Sequence, residues 1–125
     1  MRDYVHVEDL AEAHLLALRY LQGGGKSNVF NLGNKIGYSV REVINTAVEV
    51  TRKNFHVIIG NRRQGDPAEL VASADKAKKI LGWKPKKCIN QMIKDAWEWH
   101  LRHPDGYKSQ SISMDSKDPN LKIGK

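Results

Sequence analysis

The sequence has little of what crosslinks a fold or carries it into a membrane. Among its 125 residues there is one cysteine, Cys88, so no disulfide can form within the chain. Such cysteine usage fits a reducing, cytoplasmic compartment. No apolar run approaches the ~18–20 residues that span a bilayer, so we expect no membrane partner. The 40% hydrophobic and 28% charged content is instead typical of a globular chain.

The common nucleotide and metal motifs are also missing. Neither G-x-G-x-x-G nor G-x-x-x-x-G-K-[ST] occurs, and the glycine run at residues 23–25 follows a predicted helix, where a linker is the better interpretation. The five histidines have no metal-ligand spacing, so no metal site is predicted. Cys88 has no neighbour that would activate its thiol, which favours a small core or surface residue over a nucleophile.

Hydrophobic periodicity predicts an α/β fold with the element order β-α-β-α-β-β-α-α and at least part of a parallel sheet. The predicted strands are residues 3–7, 28–32, 55–59 and 69–72. The predicted helices are residues 8–21, a helix that starts at the capping box of Ser39 and Glu42, residues 74–81 with Ser73 as N-cap, and residues 89–100. Residues 1–106 then form one domain, and residues 107–125 a flexible polar tail.

Two of these helices show an apolar face in the sequence. In the first, side chains three and four residues apart line up as Leu10, His14, Ala17, Leu18 and Leu21. In the fourth, the corresponding side chains are Ile89, Met92, Ile93, Ala96, Trp97 and His100. Both faces are expected to pack against other parts of the fold.

Positive charge is in excess, because 21 Lys+Arg against 14 Asp+Glu give a net charge of +7. Several lysines surround Trp83, namely Lys76, Lys78, Lys79, Lys84, Lys86 and Lys87. Basic residues around an aromatic side chain could bind nucleic acid. However, Trp83 follows Gly82, where an apolar residue commonly packs back onto the helix that the glycine ends. We therefore favour a solvated lysine face and expect no nucleic-acid partner.

The arginines suggest anion chemistry. Arg62 and Arg63 lie three or four residues before Asp66 in a loop between predicted strands, and Arg2 lies at the start of the first strand. A guanidinium matches the geometry of a phosphate, and a carboxylate can accept hydrogen bonds from a ribose diol. Taken alone, however, the loop pattern is more typical of exposed ion pairs in a solvated loop than of a nucleotide site. The pattern at Arg2 is likewise more typical of an edge strand with outward polar side chains.

A family resemblance decides between these interpretations. Six segments carry it: R-D-Y-V-H-V-E-D-L-A-E-A-H (2–14), F-N-L-G-N (30–34), G-Y-S-V-R-E-V (37–43), R-R-x-G-D-P-A (62–68), K-A-x-x-x-L-G-W-K-P (76–85) and W-E-W-H-x-x-H-P-x-G-Y (97–107). Together and in this order they resemble the C-terminal part of the UDP-glucose 4-epimerases, a family of extended short-chain dehydrogenases/reductases. The first and last segments are more specific than the others, which recur in many nucleotide-sugar epimerases and dehydratases, and they favour the 4-epimerases.

The resemblance implies the C-terminal substrate-binding portion of an extended Rossmann-type epimerase. Members of the family interconvert UDP-glucose and UDP-galactose through a 4-keto intermediate, with bound NAD taking and returning the hydride. By position, the family's pyrophosphate-binding arginines match Arg2 and Arg63, and its ribose-binding acid matches Asp66. Residues lining the UDP site and near the uracil match Tyr4 and Val40. Leu70 stands where some members have a tyrosine near the sugar, which leaves the preference between hexose and N-acetylhexosamine open.

The same resemblance implies a nicotinamide-binding half that is absent from these residues. That half holds the glycine-rich loop, a Tyr-x-x-x-Lys pair and a Ser or Thr, so we expect no catalytic or NAD-binding residue here and no activity from this chain alone. Residues 28–32 would then lack a strand neighbour and expose apolar surface, which makes self-association a hypothesis. The alternatives are part of another nucleotide-sugar epimerase or dehydratase, and a non-catalytic UDP-sugar-binding module.

Overall fold

The computed structural model describes residues 1–107, and within them it has two short strands and four helices. In chain order these are β1 (Arg2–Asp3), α1 (Val7–Gln22), β2 (Gly37–Tyr38), α2 (Val40–Thr51), α3 (Asp75–Leu81) and α4 (Ile89–Arg102). All four predicted helices are therefore confirmed. Of the predicted tail, only Tyr107 belongs to the described residues, and the rest lies outside them.

Local capping explains where α1 and α2 begin. The ring Nδ1 of His6 accepts a hydrogen bond from the Glu8 N–H at 3.0 Å, which satisfies one of the free donors of the first turn of α1. The predicted capping box of α2 is present: the Glu42 N–H donates to Ser39 Oγ at 3.2 Å, and the Ser39 N–H donates to Glu42 Oε2 at 2.7 Å.

The start of α3 differs from the prediction by one residue. Its N-cap is Ala74, and the predicted N-cap, Ser73, instead donates its hydroxyl to the Asp75 carboxylate at 2.7 Å. Because that contact is local to the preceding turn, the cap pattern in the sequence does not distinguish the two positions. The end of α3 is as predicted, since Gly82 has the left-handed φ of 70° that glycine adopts without strain.

Most of the predicted strand structure is wrong. β1 is two residues long, because α1 already begins at Val7, and it pairs antiparallel with β2, which was not predicted. The predicted strand at 69–72 is reduced to one parallel bridge between Arg2 and Leu70. Residues 28–32 and 55–59 form no strand, and Val29 and Ile58 are 78% and 80% exposed. A strand needs a neighbour for its backbone groups, and a sequence pattern cannot supply one.

The core of the described residues is small and centres on Trp83. Its indole is 1% exposed and packs with Ala13 of α1 and with Ala74 and Ala77 at the start of α3. Partly buried apolar side chains surround this cluster: Val5, Leu16, Phe30, Leu32 and Leu81. This cluster joins α1 to α3. Separately, α2 packs on α4. The burial of Trp83 confirms that it packs back onto α3 and leaves no ring surface for a base to stack on.

Polar side chains tie the segments of this core together. Asp9 is 2% exposed, and its Oδ2 accepts hydrogen bonds from the backbone N–H groups of Lys86 and Lys87 at 3.0 and 3.1 Å. The Asp9 carbonyl also accepts the indole N–H of Trp83 at 2.8 Å. One residue of α1 therefore fixes the path of the chain between α3 and α4. No helix of the described residues is long and apolar enough to cross a bilayer.

Candidate functional site

A cleft of about 480 Å³ opens between β1, the start of α2 and the loop formed by residues 62–68. Its lining combines three arginines with a carboxylate and apolar surface. The lining residues are Met1, Arg2, Tyr38, Val40, Arg62, Arg63, Asp66, Pro67 and Ala68. Segments more than 60 residues apart in the sequence thus meet around one cationic cleft.

Arg2 is held on the floor of this cleft by several oxygen atoms. Its Nη1 donates to the carbonyl groups of Met1 and Pro67 at 2.7 and 3.0 Å, and its Nη2 forms an ion pair with the Asp66 carboxylate. The two charged side chains keep about a third of their surface exposed, at 32% and 39%. They are therefore positioned by the protein and still accessible to a ligand.

Within the 62–68 loop, Arg62 closes the turn by a hydrogen bond to the backbone. Arg62 Nη2 donates to the Asp66 carbonyl at 2.9 Å, and the Asp66 N–H donates to the Arg63 carbonyl at 3.4 Å. Gly65 has a φ of +79°, a left-handed conformation that non-glycine residues rarely adopt. This turn presents Arg63 and Asp66 to the same cleft.

Asp3 fixes the strand that carries Arg2. Its carboxylate accepts hydrogen bonds from the Asn34 N–H at 2.9 and 3.1 Å and from the Ala72 N–H at 3.2 Å. The Asn34 side chain in turn donates to the Tyr4 carbonyl at 2.6 Å. Three distant segments are thereby tied together immediately beside Arg2, which sets the position of its guanidinium.

The opposite wall depends on the start of α2. The hydrogen bonds from the Ser39 hydroxyl and backbone N–H lower the pKa of the Glu42 carboxyl below its ordinary value, because they stabilise the ionised form. The capping box therefore holds the first turn of α2 in place at neutral pH. This first turn presents Val40, and the preceding strand β2 presents Tyr38.

The structure brings together four of the six predicted site residues. Arg2, Val40, Arg63 and Asp66 line the cleft, whereas Tyr4 and Leu70 do not. The Tyr4 ring lies beside that of Tyr38, with 6.5 Å between ring centroids. Leu70 bridges to Arg2 through the backbone, and its side chain is 62% exposed.

Five lining residues were not among the predicted site residues, and two of these five carry a polar side-chain group. Tyr38 and Arg62 both lie inside segments that carry the family resemblance, next to Ser39 and Arg63 respectively. For Arg62 the sequence did contain a signal: it is adjacent to the predicted Arg63, and both side chains belong to the same short loop. Nothing in the sequence indicates that β1 pairs with β2, and that pairing is what brings Tyr38 to Arg2.

Comparisons with known proteins show the family to which these residues belong. A family model described as GDP-mannose 4,6 dehydratase matches residues 1–96. UDP-glucose 4-epimerase from Lacticaseibacillus casei is 51% identical over 108 residues, which is 86% of this chain and 33% of that protein. The chain belongs to the UDP-glucose 4-epimerase family. The corresponding enzyme from Streptomyces lividans is also 51% identical, over 86% of this chain and 32% of its own length. The chain thus spans about a third of the length of these relatives.

Solved structures of the epimerase family share the fold. A crystal structure of UDP-glucose 4-epimerase superimposes with a TM-score of 0.83 at 49% identity, covering 86% of this chain and 33% of the other. The Thermotoga maritima enzyme with UDP-glucose has a TM-score of 0.74 at 31% identity, covering 83% and 32%. The Stenotrophomonas maltophila enzyme, with bound NAD and formylated UDP-arabinopyranose, has a TM-score of 0.79 at 38% identity, covering 85% and 32%. Epimerases of this family therefore bind NAD and nucleotide sugars.

The glycine run at residues 23–25 does not fit the phosphates of a dinucleotide such as NAD. A dinucleotide phosphate is bound where a glycine-rich turn leads into the N-terminus of a helix. Here Gly23 and Gly24 close the C-terminal end of α1, where their N–H groups donate to the carbonyls of Arg19 and Leu21 at 2.9 and 3.0 Å. That end is the negative pole of the helix dipole, which repels a phosphate. These glycines therefore make no dinucleotide site.

Proposed function

We propose that this chain forms the C-terminal, UDP-sugar-binding part of a UDP-glucose 4-epimerase, with residues 1–106 as its binding domain. The observation that carries the proposal is the cleft in which Arg2, Arg63 and Asp66 meet beside the exposed Val40. A nucleoside diphosphate combines a dianionic pyrophosphate, a ribose diol and an apolar base face. The cleft offers a partner of suitable chemistry for each of these parts.

Arg2 and Arg63 are the proposed pyrophosphate ligands, because a guanidinium donates two parallel hydrogen bonds to a phosphate. Asp66 accepts from the ribose hydroxyls, and its ion pair with Arg2 keeps the two side chains in one orientation before the ligand binds. Val40 covers the uracil face. Tyr4 and Leu70 lie outside the lining of this cleft. We propose that Tyr4 contacts UDP farther along the site and that Leu70 lies near the sugar.

Epimerisation at C4 needs groups that we do not assign to this chain. NAD, when bound, supplies the hydride acceptor and donor for the family's reaction. The residues of this chain bind and orient the UDP group and so hold the sugar in register while it is oxidised and reduced. We propose that the chain is inactive without the nicotinamide-binding half and that it acts in the cytoplasm with UDP-glucose and UDP-galactose.

Calorimetric titration with UDP tests the binding role. Removing the phosphate contact with Arg63→Ala is expected to weaken UDP binding roughly 10- to 100-fold, since a hydrogen bond to a charged group contributes about 1.5–3 kcal/mol. Arg102→Ala, an exposed arginine at the end of α4, is the matched control and is expected to leave the affinity unchanged. Uridine, which has no pyrophosphate, is expected to bind both variants equally.

Two results would contradict the proposal. The first is no UDP binding by the folded wild-type chain, with folding verified by circular dichroism. The second is an equal loss of affinity in Arg63→Ala and Arg102→Ala. Inactivity of the isolated chain is a separate claim, and turnover of UDP-galactose by the purified chain with added NAD would disprove that claim alone.

A GDP-sugar enzyme is the second candidate, because the matching family model is described as a dehydratase of GDP-mannose. The relatives with about half of their residues identical act on UDP-glucose by name, which favours uridine. Competition distinguishes the two: UDP is expected to displace a fluorescent UDP probe at a lower concentration than GDP. A preference for GDP would instead support the dehydratase assignment.

A further inference from the structure

His6 is a buried titratable residue that lies outside the lining of the cleft at Arg2. Its side chain is 6% exposed and forms part of the wall of a second cavity, of about 520 Å³, between the start of α1 and α4. Burying an imidazole costs free energy unless its nitrogen atoms have hydrogen-bond partners. Both ring nitrogens of His6 have one, and the two partners belong to different helices.

The two hydrogen bonds fix the tautomer of His6. The backbone N–H of Glu8 can only donate, so Nδ1, which lies 3.0 Å away, accepts and carries no proton. The proton of the neutral ring therefore lies on Nε2, which donates to Asp95 Oδ2 at 3.1 Å. The Asp95 carboxylate is itself oriented by Gln91, whose side-chain amide donates to Oδ1 at 2.6 Å. His6 thus caps α1 with one nitrogen atom and binds α4 with the other.

This junction connects the two walls of the cleft through α4. One wall is β1 with Arg2, four residues before His6 in the chain. The other wall contains Val40 at the start of α2, and α2 packs on α4, the helix to which His6 binds. The direct pairing of β1 with β2 covers two residues on each strand, which is a short connection. The hydrogen bond from His6 to Asp95 therefore adds a second connection between Arg2 and Val40.

We propose that His6 is a positioning residue for the cleft: its hydrogen bond to Asp95 holds α4, and with it the first turn of α2, at a fixed place relative to the strand that carries Arg2. The cap on α1 is a separate contribution of the same ring and acts on stability. A ligand that contacts both walls is sensitive to the spacing between them. Only the expected effect on UDP affinity rests on the proposed function.

Two single substitutions separate the two roles of the ring. Asparagine can place its side-chain oxygen near the position of Nδ1 and is a preferred N-cap residue, but it is too short to reach Asp95. Glutamine is one methylene group longer and can place its amide nitrogen near the position of Nε2, but it is outside the group of preferred N-cap residues. His6→Asn therefore keeps the cap and loses the link to α4, whereas His6→Gln keeps the link and loses the cap.

The NMR chemical shifts of the Tyr38 and Val40 amides report the position of the second wall in the ligand-free chain. His6→Asn and Asp95→Ala both remove the link, so they are expected to shift these resonances alike, and the double variant no further. His6→Gln is expected to leave the resonances near their wild-type positions and to lower the unfolding midpoint. Glu98→Ala is the matched control on α4, because Glu98 pairs with other residues of that helix.

Calorimetric titration with UDP should group the variants in the same way. Affinity is expected to fall about 3- to 10-fold in His6→Asn and Asp95→Ala, the range that one hydrogen bond supports, and to stay unchanged in His6→Gln and Glu98→Ala. If the resonances group as expected but the wild-type chain binds no UDP, the positioning role stands and the proposed function fails.

Three outcomes would overturn the proposal. Unchanged resonances of Tyr38 and Val40 in a folded His6→Asn variant would show that the link does not position the wall. Equal shifts in His6→Asn and His6→Gln would mean that any change at this buried site disturbs the packing. Equal effects of Asp95→Ala and Glu98→Ala would assign the change to the charge of α4 rather than to the hydrogen bond with His6.

Discussion

The two walls of the cleft are held in very different ways. β1, with Arg2, is fixed by partly buried hydrogen bonds to Asp3, whereas Trp83 and Asp9 hold the core. The 62–68 loop, with Arg63 and Asp66, belongs to a stretch from 52 to 70 in which nearly every residue is exposed. The protein thus combines a cationic strand braced by the body of the protein with a loop that is mostly exposed to solvent. Changes in the first region should alter stability, and changes in the second should alter affinity.

The largest effect is expected from Trp83→Ala. Trp83 is 1% exposed and donates to the Asp9 carbonyl, so truncation leaves a cavity and removes this buried hydrogen bond. Large-to-small changes of buried aromatic residues cost about 3–5 kcal/mol, which is much of the stability of a small domain. Urea unfolding followed by circular dichroism measures the change. The contrast between the two regions fails if Phe55→Ala, a ring 46% exposed in the loop stretch, costs as much.

A smaller loss of stability is expected at Asp9, with a matched pair of variants. Asp9→Ala removes the acceptor of the Lys86 and Lys87 N–H groups and is expected to cost about 2–3 kcal/mol, since buried hydrogen bonds to charged groups are the stronger ones. Asp9→Asn keeps one oxygen acceptor and should lose less. Hydrogen exchange at these two amides should accelerate most in Asp9→Ala. Equal stability of the two variants would mean that the carboxylate does not act as a link between segments.

Local signals made the helices predictable. The capping box of Ser39 and Glu42 and the left-handed Gly82 are formed by residues within a few positions of each other, so the sequence contains the whole interaction. Strands such as residues 28–32 need a partner from elsewhere, and their β-type composition alone predicted pairing that the described residues do not contain. The same limit applies to Asp9, because the backbone groups that its carboxylate binds are 77 and 78 residues away.

The candidate site was partly predictable for the same reason. Arg63 and Asp66 lie in one short loop, so their proximity follows from the sequence. That Arg2 joins them could be inferred only from the family resemblance, because the contact depends on a pairing across 64 residues. The apolar face of α1 shows the converse case, in which periodicity identified the face but the expected packing is incomplete among the described residues, since Leu18 and Leu21 are each 52% exposed.

An effect on affinity without an effect on stability is expected from Gly65→Ala. Gly65 has a φ of +79° with open space around its Cα, so an added methyl group meets no atom but strains the turn by about 1–2 kcal/mol. The exposed loop can relax by changing its backbone, which moves Arg63 and Asp66. We expect UDP binding to weaken by about tenfold or less and the unfolding midpoint to stay constant. Gly60→Ala, also in open space but without a left-handed φ, should change neither.

The smallest effect is expected on the pH dependence of stability, through the capping box at the start of α2. The pKa of Glu42 is lowered by its hydrogen bonds from Ser39, so its contribution to stability is present above the ordinary glutamate pKa. That contribution is lost as the pH falls through the lowered value, because protonation removes the acceptor charge. Glu42→Gln keeps the shape of the capping box without the titrating group, so its melting temperature should fall less between pH 6 and pH 3 than that of the wild type.

The comparison needs a second variant, because other carboxyl groups titrate in the same range. Glu49→Gln removes a glutamate from the same helix that takes no part in the capping box. The difference in pH dependence from the wild type should be larger for Glu42→Gln than for Glu49→Gln. If the two variants behave alike, the hydrogen bonds from Ser39 do not stabilise the first turn of α2, and the wall of the cleft that carries Val40 is as loosely held as the 62–68 loop.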